Sequence, residues 1–212
     1  MLPLIESFVS IQGESTQAGR KCFFLRLGGC NLRCSYCDTS YAWSGGELKS
    51  PEELAAAAAA SGVGLVEITG GEPLIHPETP ELARRLQKKN LEVMIETNGS
   101  LPIGGLPEGV RRIVDCKLPD SGMSDCNLVD NYRLLTPLDE VKFVISSRRD
   151  FDFALDIIDR FGLAERTPHL LASPVWGAVK PDELAQWLID TPSPLRFQLQ
   201  LHKVLWGDRR GV

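Results

Sequence analysis

Three cysteines, Cys30, Cys34 and Cys37, stand in a C-x3-C-x2-C spacing directly after an apolar run. Three thiolates on one short loop can hold three irons of a cubane cluster, whereas such clusters usually take four protein thiolates. The fourth iron is then open to a ligand that the protein does not supply. An open iron on a low-potential cluster can pass one electron to a bound molecule, so the loop reads as a reaction centre. A structural zinc site is the competing chemistry, but it wants four Cys/His ligands in two close pairs. Cys22, Cys116 and Cys126 are scattered, and His76, His169 and His202 form no H-x3-5-H pair. Chance core thiols are the blander alternative, because free cysteine is often buried. The Gly28-Gly29 before the cysteines and the Asp38-Thr39 after them argue instead for a shaped loop.

The elements that must carry this loop follow from hydrophobic patterning. Leu4 to Gln12 is a short apolar run closed by a polar turn at Gly13. Cys22 to Leu27 is almost continuously apolar, as expected of a parallel strand buried on both faces. Arg26 is the one charge inside it and needs a partner, which at a strand's C-terminal end can be a ligand carboxylate. Ser50, Pro51 and Glu53 form a capping box for a helix through Ala60, stopped at Gly62. Strands are predicted over Leu65 to Thr69, Leu91 to Glu96, Val110 to Cys116, Val141 to Ile145, His169 to Ala172 and Arg196 to Leu201. Helices are predicted around Glu78 to Lys89, over Phe151 to Phe161 with Asp150 as its cap, and over Pro181 to Ile189.

Strands alternating with helices imply a parallel α/β sheet with right-handed crossovers. A complete eight-fold barrel takes ~250 residues, and this chain has 212, with connections such as Leu101 to Glu108 too Pro/Gly-rich for a helix. The expected fold is therefore an incomplete (β/α) barrel of about six mostly parallel strands, a single domain over 1–212. In such sheets ligands collect at the C-terminal ends of the strands. Arg26, the cysteine loop, Gly70-Gly71-Glu72, the stretch from Glu96 to Gly99 and the stretch from Lys117 to Ser121 all fall at such ends.

A net charge of −5 gives no electrostatic reason to expect a nucleic-acid partner. There is no stretch of eighteen apolar residues and no evident export signal. Six cysteines without export imply a reducing, cytoplasmic setting in which thiolates are free to bind iron.

The cysteine loop followed by Gly70-Gly71-Glu72-Pro73 resembles the radical S-adenosylmethionine (SAM) superfamily. Within it, the stretches from Ile11 to Glu14, Phe24 to Cys30, Cys37 to Thr39, Glu96 to Gly99, Gln200 to Lys203 and Arg210 to Val212 are similar to 7-carboxy-7-deazaguanine synthases, and the likeness runs the length of the chain. The resemblance implies a [4Fe-4S] cluster on Cys30, Cys34 and Cys37 whose open iron holds the amino and carboxylate groups of SAM. One electron then yields methionine and a 5′-deoxyadenosyl radical. It places Tyr36, Cys37, Asp38, Gly71, Glu72, Cys116, Lys117 and Leu118 around SAM. Glycines at 70 and 71 would let the backbone approach the methionine end, since a side chain there would clash.

The implied substrate is 6-carboxy-5,6,7,8-tetrahydropterin, which loses a hydrogen from C6, contracts its ring and releases ammonia. Ile11, Gln12, Gly13, Glu14, Arg26, Thr69, His202 and the carboxylate of Val212 are its implied contacts, with Arg26 pairing the substrate carboxylate through its planar fork. Thr39 is the implied protein contact of a Mg2+ ion, although its residue type alone favours a loop or cap hydroxyl. A homodimer and a flavodoxin-like electron donor are further implications. A glycyl-radical activating enzyme shares the cysteine loop and Gly70 to Pro73. Gln12, Arg26 and the Gln200–Lys203 ending favour a small carboxylated substrate instead.

Overall fold

The computed structural model describes all residues from Met1 to Val212. One sheet of nine strands runs through it in the order β3-β1-β2-β4-β5-β6-β7-β8-β9. Its strands are β1 (Leu2–Ile11), β2 (Lys21–Leu27), β3 (Glu47–Lys49), β4 (Leu65–Gly70), β5 (Glu92–Thr97), β6 (Arg111–Cys116), β7 (Glu140–Ile145), β8 (Leu170–Pro174) and β9 (Arg196–Phe197). From β2 through β9 every pairing is parallel. β1 is antiparallel to both β2 and β3. The two end strands do not pair with each other, so the barrel is open. Its six long parallel strands, β2 and β4 to β8, are the ones anticipated. The additions are the antiparallel β1 and β3, and the strand expected over Arg196 to Leu201 is shortened to a β9 of only 2 residues.

The helices are α1 (Pro51–Ala60), α2 (Thr79–Lys88), α3 (Arg148–Phe161), α4 (Leu163–Arg166), α5 (Pro181–Asp190) and α6 (Leu201–Trp206). The capping box on α1 is present, with Ser50 and Glu53 exchanging side-chain and backbone bonds. α3 begins three residues earlier than its apolar pattern, because Ser147 rather than Asp150 caps it; Asp150 is buried and accepts from Asp120 and Ser146 instead. Residues 198–201, read as strand, leave the sheet after Phe197, and α6 follows from Leu201. The cause is that Leu201 N–H donates to Gly13 O (2.9 Å) on the far side of the open seam, rather than to a neighbouring strand.

Two apolar clusters lie between sheet and helices. One packs α1 and α2 on β2, β4 and β5, through Leu25, Leu54, Ile68, Leu82 and Ile95. The other packs α3 and α5 on β6 to β8, through Val114, Phe143, Phe151 and Leu184. Covered on that face, β4, β7 and β8 are buried nearly throughout, which is why they read as continuous apolar runs. No helix is long and apolar enough to cross a membrane.

Candidate active site

The concave face of the open barrel encloses a cavity of about 700 Å³ lined by the cysteine loop, the strands from β2 to β7 and the C-terminal tail. The loops at the strand ends are packed backbone on backbone. A Cβ at Gly71 would stand 2.1 Å from Gly29 O, and one at Gly70 would stand 2.1 Å from Leu27 O. Glycine at both positions is thus required by contact with the neighbouring strand end itself, a different reason from ligand approach. Glu72 N–H closes that contact by donating to Gly29 O (2.7 Å).

Cys30, Cys34 and Cys37 are unpaired, partly exposed and face the cavity together. Backbone N–H of Leu32 and the Asn98 side chain donate toward Cys30 Sγ, at 3.4 and 3.9 Å, a setting that suits a thiolate. Burial raises the Cys34 thiol above its ordinary pKa. No three Cys, His, Asp or Glu groups converge closely enough to hold one metal ion. Three thiolates of one loop facing one cavity are the donor set of a cubane with one open iron, in which each of the other irons takes its own thiolate. The loop is anchored by Ser35 N–H to Ser121 O (3.0 Å), by Tyr36 O–H to Val144 O (3.3 Å), and by the Arg33 guanidinium 4.8 Å from the Trp43 ring centroid.

Glu72 does not reach the cavity. Its carboxylate is fully buried and accepts from Leu74 N–H (2.9 Å), Thr97 O–H (2.8 Å) and Asn98 N–H (2.6 Å). It therefore braces Asn98, which touches Cys30, and burial pushes its pKa up to about 7. Cys116 and Leu118 also lie behind the wall. Cys116 Sγ accepts from Tyr132 O–H (3.2 Å), and Leu118 is part of the core. Lys117 does line the cavity, paired at 2.7 Å with Asp115.

Ile11, Gln12, Gly13, Glu14, Arg26, Thr69, His202 and Val212 all line the same cavity. Arg26 sits opposite Glu6 in the β1–β2 register and donates Nε to it (2.8 Å), so a protein carboxylate already meets part of its charge. Tyr41 O–H joins the same Glu6 oxygen (2.8 Å), and the Arg210 guanidinium of the tail stands 3.9 Å from the Tyr41 ring centroid. Thr39 O–H donates to Asp38 (2.9 Å), and Asp38 pairs with Lys203 at 3.4 Å.

A buried ionic cluster on the inner face was not singled out from sequence. Lys142 on β7 contacts Glu14 (2.8 Å), Glu96 and, at 4.0 Å, Asp115. Burial opposes its charge, but Glu14, Glu96 and Asp115 outweigh this and hold its pKa well above that of ordinary lysine. Glu14 is held below the ordinary carboxylate range, burial being overcome chiefly by Lys142 and His202. Glu67 goes the other way: burial, then the nearby Glu96 charge, raise it well above that range, and it accepts from the Gln12 amide. The available signal was a single charge inside an apolar strand, the one that drew attention to Arg26. It recurs at Glu67 and Lys142, whereas Asp115 shares its strand with Arg111 and Arg112.

The sequence profile of the radical SAM superfamily matches residues 25–164. The chain is 39% identical to the 7-carboxy-7-deazaguanine synthase of Koribacter versatilis over 227 aligned positions, covering 100% of both chains. It is 38% identical to that of Chlorobaculum tepidum, covering 100% of this chain and 97% of the other. The crystal structure of QueE from Escherichia coli superposes with a TM-score of 0.73 at 24% identity, covering 95% of this chain and 94% of that one. The chain belongs to the radical SAM superfamily and, within it, to the 7-carboxy-7-deazaguanine synthase family.

Proposed function

We propose that this enzyme converts 6-carboxy-5,6,7,8-tetrahydropterin to 7-carboxy-7-deazaguanine with loss of ammonia, a step toward 7-deazapurines such as queuosine. The observation that carries this is the meeting, in one cavity of about 700 Å³, of the three cysteines with Gln12, Glu14, Arg26 and His202. Cys30, Cys34 and Cys37 would hold the [4Fe-4S] cluster, which when bound with SAM would supply a 5′-deoxyadenosyl radical. This chain's own residues do the rest. Arg26 has only Nε engaged, so the outer edge of its guanidinium is available for the substrate carboxylate. The ionised Glu14, between Lys142 and Gln200, presents negative charge to the guanidine-like N–H groups of the pterin. Gln12 has its amide fixed by Glu67 on one side and Glu14 N–H on the other, leaving one donor and one acceptor site for the ring edge.

Val212 and His202 cover the substrate from the tail side, and 1–212 acts as one domain closed by that tail. Thr39 would offer its hydroxyl to a Mg2+ ion, with few other protein ligands, as Mg2+ prefers. The protein works in the cytoplasm as a homodimer and takes electrons from a flavodoxin-like donor. Transfer of label from C6-deuterated tetrahydropterin into 5′-deoxyadenosine tests the proposal. Label in the nucleoside is the expected result, and unlabelled deoxyadenosine with intact pterin contradicts it.

A further inference from the structure

Ser15 has a backbone φ of +64°, in the left-handed region that serine rarely adopts, and is 2% exposed. It follows directly on Gln12, Gly13 and Glu14, the loop that faces the cavity. Such a conformation persists only where its surroundings over-determine it. Within the loop Gln17 N–H donates to Ser15 Oγ (3.0 Å) and Ala18 N–H to Ser15 O (3.3 Å), and from outside it one side chain holds Ser15. Gln198 Oε1 accepts from Ser15 N–H (2.9 Å), and Gln198 Nε2 donates to Ser15 O (2.7 Å). The amide thus serves a single residue as a partner strand would. Gln198 is itself fixed to β8 by its own N–H on Ala172 O (2.9 Å).

The segment that follows continues along the loop. Gln200 Nε2 donates to Glu14 Oε1 (2.9 Å) and Leu201 N–H to Gly13 O (2.9 Å), while a Cβ at Gly13 would stand 2.3 Å from His202 Nδ1. On its other side the loop is held by β7, through Glu140 to Thr16 N–H (2.9 Å) and Lys142 to Glu14 (2.8 Å). Of these contacts, only that of Gln198 acts on the residue that reverses the chain.

We propose that Gln198 is a positioning residue: its amide sets the left-handed turn at Ser15, and through it the direction in which Gln12, Gly13 and Glu14 face the substrate. Seating of the tail and shaping of the substrate loop are then one event. The residue type matters. Ser15 O keeps a second partner in Ala18 N–H (3.3 Å), whereas Ser15 N–H has Gln198 alone. Alanine at 198 would leave that buried donor unmet, and glutamate would set an oxygen against the Ser15 carbonyl.

The inference rests on the cavity being the pterin site, and its test has an arm independent of that reading. Amide exchange at Ser15 in the cluster-loaded protein without substrate should accelerate about tenfold or more in Gln198→Ala, the scale of one lost buried hydrogen bond. KM for the tetrahydropterin should rise by a similar factor, with kcat and cluster content little changed. Adding Ser15→Gly, which takes a positive φ freely, should recover much of the KM. Unchanged exchange at Ser15 overturns the proposal. So does an equal loss of kcat and kcat/KM that Ser15→Gly does not recover, since that describes a merely structural residue. If the wild-type protein does not turn over the pterin, the functional reading fails, and the exchange arm still decides the clamp.

Discussion

At the scale of single residues, the proposed function puts the chemistry on the three cysteines, with the charges of Glu14, Glu96, Asp115 and Lys142 lining the same cavity. Alanine at any one of Cys30, Cys34 or Cys37 should bring deoxyadenosine formation to background and lower bound iron, read by nucleoside assay and iron analysis. Lys142 is the one cation shared by Glu14 and Glu96. Lys142→Met leaves those carboxylates without it and should cost about 3 kcal/mol or more in urea unfolding; a loss below 1 kcal/mol would mean the cluster is far more hydrated than its burial implies. Glu72 gives a pH signature. Its folded-state value, about 7 against an ordinary 4.5, is raised by burial that its three donors only partly offset. The folded protein therefore keeps a proton that the unfolded chain releases. The stability this contributes is fully present below pH 4.5 and lost as pH rises through about 7. The change amounts to roughly 3 kcal/mol. Urea midpoints between pH 4.5 and 8 should show a flatter slope in Glu72→Gln than in the parent, and an identical slope would show that Glu72 does not titrate in that window.

At the scale of elements, glycines mark where loops touch, and two of them separate the two halves of the site. Gly71→Ala sets a Cβ against Gly29 O and should disturb the cysteine loop, lowering cluster content along with all activity. Gly13→Ala meets His202 instead and should spare the cluster and basal SAM cleavage while raising KM for the pterin at least tenfold. Loss of cluster in Gly13→Ala, or its retention in Gly71→Ala, would contradict this division. The elements were legible where local rules decide: the Ser50–Glu53 capping box and the buried parallel strands declare themselves within a few residues. They were not legible where a distant partner decides. Residues 198–201 alternate like a strand, but the Gln198 and Gln200 side chains and the Leu201 N–H bond to residues 13–15 across the open seam, a pairing that no window of local sequence contains. Asp150 looked like a cap because the true cap, Ser147, lies before the apolar repeat begins.

At the scale of the whole molecule, the loop after β1 and the tail after β9 both line the cavity that the open sheet leaves between them. The motifs had named most of the cavity wall, because their residues sit at strand ends. The side chains of Glu72, Cys116 and Leu118 lie behind the wall, because nearness to a strand end does not say which way a side chain points. Removing residues 207–212 takes away Arg210, stacked on Tyr41, and Val212. The shortened protein should still load a cluster and cleave SAM, yet lose product formation, as followed by mass spectrometry. The most direct measurement is an anaerobic reaction of the cluster-loaded protein with SAM, a reductant and 6-carboxy-5,6,7,8-tetrahydropterin. This account predicts 7-carboxy-7-deazaguanine and ammonia in equal amounts; SAM cleavage that leaves the pterin unchanged would contradict it.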